Sequence, residues 1–111
     1  MGPGWEAIRI SRYYGLQVLS RLRAPGAVII NPAPPFVYLF VAPGSTATWP
    51  TPPPGQVLVL AAEVTLPPAR RRTPPGMYWL LPPRKRSMGL TNSEGLRAVL
   101  ADVLPHWTEA T

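Results

Sequence analysis

The chain has 111 residues, 17 of them Pro and 9 Gly, yet 46% are hydrophobic and four are Trp, which fits one small folded domain with Pro-rich loops and not a disordered tail. It carries no Cys, a single His (His106), five acidic residues and eleven cationic ones, for a net charge of +6. That stock excludes disulfides, thiolate metal sites and thiol nucleophiles, and it is too thin in carboxylates for metal-dependent phosphoryl chemistry.

Residues 1–4 read as a loose lead-in. The stretch 5–23 reads as a first helix, with Ser11 as the N-cap of its firmer part and Tyr14, Leu16, Leu19 and Leu22 spaced for one face. Gly15 weakens it by about 1 kcal/mol relative to Ala. Arg21 and Arg23 suit the negative end of the helix dipole, and Pro25-Gly26 ends the element.

A short β-branched run, 27–30, reads as a strand, residues 31–35 as a turn, and 36–41 as a second strand. This second strand is continuously apolar, so it is expected in the middle of a sheet with both faces covered, and the two runs make a β-hairpin. Residues 42–56 are a connector with five prolines, where Trp49 pins the loop to the core or, alternatively, the proline run docks on a partner.

Residues 56–66 form another strand region, interrupted by Glu63 and closed by Pro67-Pro68. Glu63 marks a bulge, a solvent-facing position or a buried functional carboxylate. A basic loop follows over 69–76, then a strand over 77–81 stopped by Pro82-Pro83, then a second basic loop. The last element is a helix: Thr91 and Glu94 have capping-box spacing, and Leu96, Val99, Leu100, Val103 and Leu104 trace one buried face up to Pro105. Residues 106–111 read as a loose terminus. The order helix, hairpin, further strands, helix implies an α+β fold: a mainly antiparallel sheet of about four to five strands, with an N-terminal and a C-terminal helix packed on it, in a single domain.

The chemistry available is limited. Of the acids Glu6, Glu63, Glu94, Asp102 and Glu109, only the last three have a neighbour within ten residues, Asp102 lying eight from Glu94 and seven from Glu109, and no Asp-x-Asp pair exists. A Ser-His-Asp triad would need His106, close to the end of the chain. No glycine-rich phosphate loop is present. The expectation is therefore a protein that is not an enzyme and takes no cofactor or metal.

The cationic side chains offer more. Arg70, Arg71 and Arg72 precede the strand over 77–81 and Arg84, Lys85 and Arg86 follow it, with Tyr78 and Trp79 between. Such triplets either contact phosphates, with a ring stacking on a base, or simply solvate two loops. Strand alternation sends the two rings to opposite faces. The triplets line one groove only if the first loop folds back along the strand. Ten of the eleven cations are Arg, in a composition rich in Ala, Gly, Pro, Leu and Val that points to a high-GC genome.

The stretch 37–83 carries a strand ending in Ala42-Pro43-Gly44, a second region ending in Leu66-Pro67-Pro68, and a third with Pro75-Gly76-Met77-Tyr78-Trp79-Leu80-Leu81-Pro82-Pro83. In this it resembles small actinobacterial proteins similar to the N-terminal domain of bifunctional DNA primase/polymerases, of the archaeo-eukaryotic primase class. The resemblance covers under half of the chain and does not extend to the paired acids and His of the primase site, so no catalytic residue carries over. It implies a primase-like accessory protein of an actinobacterial mobile element, binding DNA or RNA in plasmid replication or conjugal transfer. The alternative is a protein–protein module using the Pro-rich loop or a sheet edge, with no nucleic-acid partner. The opening Met-Gly-Pro-Gly-Trp-Glu has no basic region leading into an apolar stretch, and no apolar run nears the ~20 residues of a membrane span, so a cytoplasmic location is expected.

Overall fold

The computed structural model describes residues 4–47, 49, 57–60, 64–83 and 88–104. Its first element corrects the sequence reading. Glu6–Ser11 is a strand, β1, and not the opening turns of a helix. Ile8 and Ile10 are buried towards one face, while Ala7 is buried towards the other, the period of two that a strand imposes. The helix α1 (Arg12–Arg21) begins directly after it, with Ser11 at the cap position but making no capping hydrogen bond through its side chain.

The buried stripe of α1 also differs from expectation. Gly15 and Val18 lie innermost, flanked by Tyr14, Leu19 and Leu22, and Leu16 points outward. Gly15 explains the shift. A Cβ built there would stand 2.7 Å from the Cβ and a methyl of Val37, so the missing side chain lets the helix lie directly on the sheet.

Past Pro25-Gly26 come β2 (Val28–Pro32) and β3 (Pro35–Val41), joined by a two-residue turn at Ala33-Pro34, whose peptide bond is cis. The hairpin is therefore tighter than the five-residue turn read from the prolines. Pro32 and Pro35 sit opposite each other at the end of the ladder, where a missing N–H is tolerated. Residues 43–47 form turns after β3, and Trp49 packs on the core. Then follow β4 (Val57–Leu60), β5 (Tyr78–Leu81) and α2 (Ser93–Val103). The strand region expected over 56–66 is a strand only over β4 among the described residues. Glu63 lies outside them, as do most of the Pro-rich connector and residues 106–111.

The five strands form one antiparallel sheet in the order β4-β1-β3-β2-β5. Since β3 runs antiparallel to both β1 and β2, those two are parallel to each other with β3 between them and α1 as the crossover. The fold is α+β with both helices on one face, as the element order implies. Their face holds Ile8, Ile10, Val18, Val28, Ile30, Val37, Leu39, Val41, Leu96 and Leu100. The opposite face is a second, more aromatic layer: Phe40 sits between Trp5, at 5.0 Å edge-on, and Trp79, at 6.2 Å, with Tyr38 and Ile29 alongside and Met77, Met88 and Val64 closing over them. β3 is buried on both sides from Val37 to Val41 because it serves both layers.

The C-terminal helix follows its predicted face, with Leu96, Leu100 and Leu104 buried. Its cap is one residue later than the capping-box spacing suggests. Asn92 accepts the backbone N–H of Gly95 at 2.8 Å, while Thr91 is buried and bonded elsewhere. Among the described residues no helix is long and apolar enough to cross a membrane.

Candidate nucleic-acid interface

The first basic triplet lies on a loop that folds back along β5. The backbone N–H of Trp79 donates to the carbonyl of Arg71 at 2.8 Å. The guanidinium of Arg72 donates through Nε to the Trp79 carbonyl at 3.0 Å and through Nη2 to the Leu80 carbonyl at 3.2 Å. Arg71 donates through Nη1 to the carbonyl of Pro75 at 3.3 Å, closing the loop on itself. Arg70 is exposed and enters none of these bonds.

Alternation in β5 separates the two rings. Tyr78 is half-buried against the helix-side core, opposite Ile30. Trp79 is 2% exposed in the aromatic layer, and its indole N–H donates to the Pro67 carbonyl at 3.1 Å. A base cannot reach that ring while the chain keeps this fold. Tyr78 is the half-exposed one of the pair, so the two rings do not form one stacking surface.

Between the loop and the segment before it runs an open groove of about 530 Å³, lined by Thr65, Leu66, Pro67, Pro68, Arg71 and Met77, with Pro75 and Gly76 at its end. Its walls are mostly apolar and its cation is Arg71, an arrangement suited to a flat ring with a phosphate attached. The sequence hinted at this groove only through the double prolines that bracket the loop. Away from the groove, another cation meets an aromatic ring. The guanidinium of Arg9 lies 4.3 Å over the ring of Phe36, a cation–π contact invisible until β1 and β3 are paired.

Arg84, Lys85 and Arg86 lie outside the described residues, as does His106. Of the acids, Glu6 accepts from the Thr46 hydroxyl at 3.2 Å and Glu94 pairs with Arg97 at 3.3 Å. Among the described residues no three His, Asp or Glu side chains gather as a metal site would require. Comparison of the chain with family models, with curated proteins and with solved structures finds no match.

Proposed function

We propose that this chain is a non-enzymatic nucleic-acid-binding protein, a primase-like accessory factor acting in the replication or conjugal transfer of an actinobacterial mobile element. Arg71 contacts phosphate at the groove and Arg70 from the same loop, Arg84, Lys85 and Arg86 add contacts from the second loop, and Tyr78 supplies the ring. Arg72 spends two of its donors on the sheet and contributes charge more than a dedicated phosphate contact. The observation that carries this reading is the folded-back loop, which leaves Arg70 and Arg71 exposed, with Arg71 lining an apolar groove, in a protein of net charge +6.

The test is a salt titration of binding to single-stranded and duplex oligonucleotides. Three to six neutralised phosphates give a log–log slope of roughly −2 to −5, depending on strand type. A flat slope, or no binding at low salt, removes the proposal.

A second reading, a protein–protein module, draws support from the outer face of α1, where Tyr13 is 73% and Leu16 43% exposed. A partner recovered by pull-down after nuclease treatment, and retained when all six loop cations are replaced, would favour it.

A further inference from the structure

Alternation along β1 sends Arg9 to the face opposite Ile8 and Ile10, the side of the sheet away from both helices. Its register partner there is Tyr38, which pairs with Ile29, which pairs in turn with Trp79. One row therefore crosses the sheet from Arg9 to Trp79, a span of roughly 14 Å at the usual strand spacing. The middle of the row is buried, but its ends are built differently. At the β1 end, Arg9 and Phe36 are both half-buried, with the guanidinium 4.3 Å over the ring. Among the described residues the Arg9 side chain enters no hydrogen bond or ion pair. At the β5 end, the Trp79 indole holds Pro67, which lines the groove together with Met77 and Arg71.

A half-exposed ring beside a guanidinium with donors to spare suits a nucleotide, whose base stacks on the ring while its phosphate takes the N–H groups. The groove repeats the combination with apolar walls and Arg71. Bases in a duplex already cover one another, so only an unpaired base has a face to offer. Cations at both ends of one row, in a protein of net charge +6, complement a polyanion that runs between them. Resting on the nucleic-acid reading above, we propose that the helix-free side of the sheet binds single-stranded nucleic acid in preference to duplex. Phe36 stacks a base and Arg9 contacts the adjoining phosphate, while the groove takes a second unpaired base of the same strand against Arg71. Arg9 and Phe36 are thus binding residues outside the two basic triplets.

The experiment measures binding of the full chain, over a range of salt, to three labelled probes of equal length. These are an oligothymidylate, a duplex, and an abasic deoxyribose-phosphate oligomer that keeps the charges and lacks the bases. Wild type is expected to bind the oligothymidylate about tenfold or more tighter than either of the others. Arg9→Gln should weaken that binding and make its log–log salt slope shallower by about 0.7, the loss of one phosphate contact. Phe36→Leu should weaken it about fivefold or more with the slope unchanged, since a base contact releases no counterion. Should Phe36→Leu fail to fold, the abasic oligomer on the wild type decides the same point. Salt-dependent binding that is equal for all three probes, or indifferent to Arg9→Gln and to Phe36→Leu, overturns this inference and leaves the loop cations as the interface. Binding to none of the probes at low salt overturns the nucleic-acid reading and this inference with it.

Discussion

The hydroxyl of Thr91 accepts the backbone N–H of Gly26 at 2.9 Å, joining residues 65 positions apart. The Thr91 N–H donates in turn to the carbonyl of Phe40 at 2.7 Å, and the Gly89 carbonyl accepts from Ala27 at 2.8 Å. The segment before α2 is thereby stitched to both the start of β2 and the end of β3. Gly26 is required there, since a Cβ on it would fall 1.7 Å from the Gly89 oxygen. Replacing Thr91 by Val keeps the volume but strands the Gly26 N–H. Denaturant unfolding should show a loss of about 1–2 kcal/mol, and Thr91→Ser should lose less. A Thr91→Val protein as stable as wild type would show the bond to be replaceable by water.

Gly15 and Val37 set a second test. On helix propensity alone Gly15→Ala gains about 1 kcal/mol. The new methyl would meet Val37 at 2.7 Å, and overpacking of that kind costs about 1–3 kcal/mol. Gly15→Ala is therefore expected to destabilise the wild type, and to do so less in a Val37→Ala background, where the methyl contact is gone and only the one to the Cβ of residue 37 remains. A double-mutant cycle with no coupling would mean that α1 shifts freely on the sheet.

Asn92 holds the α2 N-terminus through Gly95. Asn92→Ala should cost about 1 kcal/mol, and Asn92→Asp or Asn92→Ser only a few tenths, in thermal or urea unfolding. Equal loss in all three would assign the side chain a role outside the cap.

Arg70 separates binding from folding. Arg70→Ala should leave the unfolding midpoint within about 0.5 kcal/mol of wild type and make the oligonucleotide salt slope shallower by about one. A variant that binds with an unaltered slope would take Arg70 out of the interface.

Local pattern was enough for some elements. Leu96, Leu100 and Leu104 recur at a helical period and are buried as a stripe, and Val37–Val41 is so continuously apolar that only a strand covered on both faces accommodates it. Opposite placement of Tyr78 and Trp79 follows from strand alternation alone. By contrast β1 was unreadable. It has no turn residue between Ser11 and Arg12 to separate it from α1, and its strand character comes from hydrogen bonds to β3 and β4, supplied by residues about 30 and 50 positions away.

The charged loop divides the same way. Composition and charge determined that this protein has few groups able to move protons or hold metals and that its cations cluster around one strand. Only the tertiary structure decided what each cation does. A guanidinium in a run of three looks solvated in one dimension; the bulge at Leu80 gives Arg72 two carbonyls to span, and the burial of Trp79 closes the ring that lay beside it in sequence. Side-chain type is fixed locally, but the partners that satisfy a polar group are set by which distant backbone groups the sheet leaves unpaired.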